Sequence, residues 1–412
     1  MRMRVYIFED NTTNNFLPIV YTRAVFELKA GIKNILEKNL SNLEGETDIV
    51  LIVREYLKDV VAQRYPDYEI NPNTFEDGLW INGRMLFSKE DIKKALDNKN
   101  TVYMVRGAFA IGYLDGKTAS SMFKIADEIE LKVDSAINTG GINPVVYNYF
   151  FEFPLRTAES IKEDFEKFYT KGEIKGKIYE NVTILNKDKV FIAEDVVIKP
   201  GVVLDAEEGP IVIEKGAKVM ANAVIEGPCF VGEKATIKIG AKIYEGTHIG
   251  PVCKIGGEVD AAIFHGYSNK QHEGFIGHAY IGEWVNIGAD TNNSDLKNNY
   301  SNVKVWVNGQ FINSGSMFVG LTMGDHSKTG INTMFNTGTV VGVGCNIFGS
   351  DYPPKYIPSF AWGGANGFVE YRFDKMIETA RAVMARRKKT LSDKEYNLLK
   401  YIFEKTKPER SW

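Results

Sequence analysis

All five histidines of this 412-residue chain lie between positions 248 and 326. The densest stretch, residues 266–289, carries His272 and His278 among Asn269, Lys270, Gln271 and Asn286. An imidazole of near-neutral pKa is the usual base for an amine that must lose a proton as it attacks an acyl group. A cationic side chain can hold an anionic group of the substrate. Clustered histidines also suit a metal ion, which lowers the pKa of a bound water. The plain alternative for each is a polar loop histidine at a contact between chains.

The element that must position them is a repeat. At every sixth residue stand Ile213, Val219, Ile225, Val231, Ile237, Ile243, Ile249 and Ile255, all branched aliphatics. Four residues after the first seven come Ala217, Ala223, Cys229, Ala235, Ala241, Thr247 and Cys253, all small. Shorter runs precede at Ile192, Ile198 and Leu204 and follow at Ile281 and Ile287. A helix has a period of 3.6 and a two-faced strand a period of 2. A period of six fits one short strand and one turn per hexapeptide, three to a triangular coil of about 18 residues. The expected fold here is a left-handed parallel β-helix with the aliphatics stacked inside. Cys229 and Cys253 then read as small buried hydrophobes rather than reactive thiols. The 26 residues from Ile255 to Ile281 break the register. A loop leaving the prism is expected there, and loops on rigid scaffolds often carry function. Acyltransferases, carbonic anhydrases and inert stalks all use this prism, so the fold alone does not assign an activity.

Residues 1–175 lack the repeat. Strands are expected at Val5 to Phe8, Ile49 to Val53, Leu79 to Asn82 and Val102 to Arg106, and a helix at Ala30 to Leu40. This alternation predicts an α/β domain with a mostly parallel sheet. Ser160 to Phe168 reads as a helix leading into the prism. Pro353, Pro354 and Pro358 are expected to close it, giving a β-helix domain at 176–360 and a helical extension at 361–412. There Phe373, Met376, Ile377, Ala380, Val383 and Met384 form one helical stripe, and Ser392 with Glu395 fits a capping box. The extension is expected to pack on the prism or a neighbouring subunit. A net charge of −3 gives no electrostatic case for nucleic acid. No apolar run approaches membrane-spanning length, no signal peptide opens the chain, and three cysteines argue against a disulfide framework. A cytoplasmic protein is expected.

Gln271-His272-Glu-Gly-Phe275-Ile-Gly277, then Ile281-Gly282, then Val285-Asn286-Ile287-Gly288-Ala289-Asp290-Thr291 form one spaced motif. It resembles that of the bifunctional enzymes that acetylate glucosamine-1-phosphate and then couple the product to UTP. The resemblance implies that His272 is the catalytic histidine, that Asn286 binds substrate and that Ala289 contacts acetyl-CoA. It also implies that Lys238 replaces a phosphate-binding arginine, with Lys270 and Lys254 near the site. Three departures stand out. The family's substrate-contacting tyrosine is Phe275, a family lysine is Asp260, and the segment Asn293 to Tyr300 differs. They leave open a different sugar, or one without phosphate. A homotrimer with sites shared between chains is implied by the same resemblance.

The N-terminal half is similar to the family's nucleotidyltransferase half, more distantly. Its Gly-rich phosphate loop is replaced by a segment containing Asp10-Asn-Thr, Leu17-Pro18 and Thr22-Arg23. Arg23, Asn82 and Arg84 stand as candidates for nucleotide or sugar-phosphate contact. If this half is active, Mg²⁺ would neutralise the nucleoside triphosphate, with Asp10 a candidate ligand. Two other readings remain open: a nucleotide-sugar-binding or nucleotidyltransferase protein whose β-helix is a scaffold, and a metalloenzyme of the prism-fold carbonic anhydrase kind.

Overall fold

The computed structural model describes residues 2–133 and 141–411. Its first part is built on a six-stranded sheet. Met3–Phe8 pairs in parallel with Thr47–Ile52 and with Gly78–Asn82, and Glu69–Ile70 forms one edge. Ala108–Leu114 and Thr101–Val105 add an antiparallel hairpin at the other edge. Both faces are covered, which is why the central strand is apolar at alternate and intervening positions alike. Val5 and Ile7 enter one core, Tyr6 and Phe8 the other. The expected helix at Ala30 to Leu40 is shorter, Ile35–Leu40. Asn34 stops it from extending backwards: its side chain accepts from the Glu37 N–H while the Glu37 carboxylate accepts from the Asn34 N–H.

From Lys177 to Gly364, short parallel strands stack into the three sheets of a triangular coil. Along one face Ile213, Val231, Ile249, Phe264, Ile281, Met323, Val341 and Ile357 are paired in succession. A second row runs Val219, Ile237, Ile255, Lys270, and a third runs Ile225, Ile243, Val259, Ile276. The aliphatics of these rows are almost wholly buried, each contributing about 1.5–3 kcal/mol.

No loop leaves the prism between Ile255 and Ile281. The coil continues through Val259, Phe264, Lys270 and Ile276, with some steps tightened to fewer than six residues. The excursion comes later, at 294–320, and carries the hairpin of Lys304–Val307 with Gln310–Asn313. The six-residue register then returns at Met323, Thr329, Phe335, Val341 and Ile347. The prolines do not end the stack either: Tyr356–Ile357 and Ala361–Gly364 still pair in parallel with the preceding coil.

Helix Glu152–Phe168 lies between the two parts. Its Ile161 and Phe165 pack with Ile32 on Val212 and Phe230 of the prism. A single core continues from the sheet through Phe153 to Ile263, Tyr280 and Trp284, and on to the terminal helices. Those helices, Phe373–Ala385 and Asp393–Lys405, bury Met376, Ile377, Ala380, Met384, Leu398, Leu399 and Ile402, and Ser392 forms the expected capping box.

Candidate active site

The strands that carry Lys254, Asn269, Asn286 and Lys328 are neighbours on one prism face, and these four residues form a paired outward row. The corner that follows this face carries Gln271 and His272. His272 is exposed, and it lines a cavity of about 300 Å³ with Gln271, Asn286, Ile287, Gly288, Ala289, Thr329, Gly330 and Ile331. The sequence motif thus converges: His272, Asn286 and Ala289 share one cavity. The turn is tightly seated. Gly274 has φ +110°, and a Cβ there would lie 2.3 Å from the Thr291 carbonyl oxygen. Across the cavity floor the Thr329 hydroxyl accepts from the Gly288 N–H at 2.9 Å.

A second cavity of about 290 Å³ adjoins the first and shares Gln271 and Asn286 with it. Its other walls are Lys254, Tyr267, Asn269 and Lys328 on the prism, and Val383, Arg386 and Arg387 from the end of helix Phe373–Ala385. Burial lowers the pKa of Lys328 to about 8. Lys254 is lowered by burial first and then by the charges of Arg387, Lys238 and Arg386. Sequence reasoning missed Arg386, Arg387 and Lys328. The run Arg386-Arg387-Lys388-Lys389 directly after an apolar helical stripe was the available signal.

The other expected residues fall elsewhere. Lys270 is not a substrate ligand in this geometry. It occupies an interior position of the prism and is 1% exposed. Its ammonium donates to the carbonyls of His272 at 2.7 Å and Gly256 at 3.1 Å. Phe275 turns onto the next face, over Gly277, where a Cβ would meet its ring at 2.5 Å. Lys238 lies at the same corner of the prism as Gln271, two coils earlier, outside both cavities.

In the N-terminal part, Arg23 faces the prism, not an open groove. It is sealed at the junction, donating to Asp325 at 2.7 Å with Glu283 at 3.4 Å. Asp10, Asn82 and Arg84 do come together, but close on each other. Both Asn82 Nδ2 and Arg84 Nε donate to Asp10 Oδ2 at 2.8 Å, and Thr12 binds its other oxygen. Burial raises the Asp10 pKa, and Arg84 with these hydrogen bonds more than offsets it, leaving the carboxyl below its ordinary value. This buried, neutralised carboxylate does not fit a Mg²⁺ ligand.

The remaining histidines are dispersed. His248 bonds the Gly31 carbonyl, His265 the Tyr280 hydroxyl and His278 the Asp295 carboxylate. Burial lowers His248 to about 3 and His326 to about 4, so both are neutral. Among the described residues, the one grouping with metal-ligand spacing, Asp260, His278 and Asp295, holds a single histidine. Among the described residues, no three-histidine centre forms within one chain.

The chain thus joins a parallel β-helix, with an exposed histidine at one coil corner, to an α/β domain. The family model described as sugar nucleotidyl transferase matches residues 5–172. A bifunctional sugar-1-phosphate nucleotidylyltransferase/acetyltransferase from Sulfurisphaera tokodaii is 33% identical over 400 residues, covering 84% of this chain and 96% of that protein. The bifunctional protein GlmU of Bartonella quintana is 26% identical over 340 residues, covering 77% of this chain and 70% of its own length. That of Methanocaldococcus jannaschii is 34% identical over 211 residues, 50% of this chain and 43% of its own. The chain belongs to the family of bifunctional sugar-1-phosphate nucleotidylyltransferases/acetyltransferases and is a transferase.

Proposed function

We propose that the prism transfers an acetyl group from acetyl-CoA to the amine of an amino-sugar phosphate of the glucosamine-1-phosphate kind, with His272 as base. The observation that carries this reading is the meeting of exposed His272, Asn286 and Ala289 in one cavity. The amine nitrogen attacks the thioester carbon, forming the C–N bond as the C–S bond breaks. His272 takes the amine proton and passes it to the departing thiolate. Asn286 holds the sugar and Ala289 lies against the acetyl donor. No residue of this chain is assigned to Mg²⁺, because the Asp10 carboxylate is already neutralised.

The same reading includes a homotrimer. Ile239, Ile331 and Phe348 are 64%, 68% and 41% exposed, and each follows a strand of the His272 face at the same corner. Bare apolar side chains spaced along that corner, Ile331 among them lining the cavity, suit coverage by a second copy. No described helix is long and apolar enough to cross a membrane. A cytoplasmic location goes with the use of acetyl-CoA and nucleoside triphosphate.

The test is thiol release from acetyl-CoA with glucosamine-1-phosphate as acceptor. His272→Ala is expected to lower turnover by about 10²–10⁴-fold with an unchanged circular dichroism spectrum. Full turnover in that variant would remove His272 from the mechanism. Light scattering should give three chains per particle.

A further inference from the structure

We propose that the cavity under the end of helix Phe373–Ala385 is an anion subsite. In it Arg386 and Arg387, carried by the helical extension, join Lys254 and Lys328 of the prism to hold a phosphate group. The inference rests on the acetyltransferase reading only for which phosphate arrives; the subsite itself stands on charge and geometry.

Four cations line the cavity and no carboxylate does. Like charges gathered without a counter-charge repel one another, and the lowered pKa of Lys254 is partly the effect of Arg387 and Arg386. Such an arrangement is stabilised by an anion of more than one charge. Arg387 points the same way. One guanidinium nitrogen donates to Asn269 at 2.9 Å, while its Nε is buried without a partner. A buried N–H of a charged group is costly unless an acceptor meets it. Phosphate oxygens accept from guanidinium in paired, parallel hydrogen bonds. The helix is anchored by Met376, Ile377, Ala380 and Met384, so both arginines are presented by a packed element.

The subsite shares Gln271 and Asn286 with the His272 cavity. One ligand can therefore place an amine or thioester at His272 and a phosphate at the helix. The phosphate of an amino-sugar phosphate and the phosphates of acetyl-CoA have this chemistry in common.

The first test needs no turnover. Inorganic pyrophosphate is titrated calorimetrically into the parent 412-residue protein, into Arg387→Met and Arg386→Met, and into Lys389→Ala as a nearby exposed control. Saturable binding is expected, weakened at least about tenfold in Arg387→Met, the scale of a lost charge-assisted hydrogen bond. Arg386 is exposed, so its variant reports the subsite even if Arg387→Met folds poorly. The control should bind within about twofold of the parent. Absence of saturable binding by the parent protein, or equal weakening by Lys389→Ala, overturns the proposal. In a second arm, thiol release is followed in the arginine variants. A raised KM for glucosamine-1-phosphate assigns the subsite to the sugar phosphate; a raised KM for acetyl-CoA assigns it to the coenzyme. Unaltered KM values for both, with unaltered pyrophosphate binding, also overturn it. If the protein releases no thiol at all, the acetyltransferase reading fails while the titration still decides the subsite.

Discussion

The ammonium of Lys270 lies inside the prism and donates to the backbone carbonyl of His272 at 2.7 Å. It stands where the coil before it places Ile255, and Gly257, at φ +69°, leaves room for it: a Cβ there would fall 2.5 Å from the ammonium. A charged group at an aliphatic position therefore pins the turn that presents His272. Lys270→Met keeps the length and removes the donor. We expect kcat to fall by about 10–100-fold through loss of alignment, with each KM changed by less than about twofold. An unchanged kcat would reduce Lys270 to packing.

The same lysine gives a pH signature. Burial lowers its pKa from 10.5 to about 8. Between those values the unfolded chain binds the proton and the folded chain does not, so stability attributable to Lys270 rises with pH. Relative to Lys270→Met, the parent protein should gain up to about 3 kcal/mol between pH 7 and 10, on the order of 1.4 kcal/mol per unit. Denaturant midpoints of the two proteins across that range provide the check, and parallel curves would refute a buried, shifted lysine.

Arg23 and Asp325 form a buried pair across the junction. Burial disfavours both charges, and their mutual attraction more than compensates, raising the pKa of Arg23 and lowering that of Asp325. Arg23→Met strands the Asp325 carboxylate and should cost about 3–5 kcal/mol in chemical denaturation. The double variant Arg23→Met/Asp325→Leu should recover part of that loss. A neutral single variant would exclude the pairing.

Arg84→Ala should likewise destabilise by about 3–5 kcal/mol, because Asp10 loses its counter-charge. Millimolar Mg²⁺ should leave the melting temperature of the parent protein unchanged. A clear rise that is lost in Asp10→Asn would restore Asp10 as a metal ligand.

Cys229, Cys253 and Cys345 are all buried, and burial raises each thiol, Cys253 to about 12 and Cys345 to about 11. A thiol-reactive dye at pH 8 should label none of them until denaturant is added. Rapid labelling of the folded protein would show that the prism opens.

The repeat was legible where its inner positions are branched aliphatics, from Ile213 to Ile255. It became illegible at Met323, Thr329 and Phe335, which keep the spacing with other residue types. The 26-residue interval hid an unbroken coil, because tightened corners alter spacing without letting the chain out. His272, Asn286 and Ala289 were drawn together by the motif's resemblance to the family's, and the structure places them on consecutive coils around one cavity. Arg23 was not, because its partner is 302 positions away and nothing local marks it as buried. Lys270 misled for a related reason. A lysine beside a candidate base reads as a substrate ligand until the shortened steps are counted and place it inside.

The shared core under helix Glu152–Phe168 has a consequence for how such genes can be recombined. Cutting the chain near position 175 would bare Val212 and Phe230 on one fragment and Ile161 and Phe165 on the other. Either piece, joined to a relative's counterpart, would stay packed only where the opposing surface offers apolar side chains of matching shape. A chimera built across this seam therefore has to carry both apolar faces as one unit.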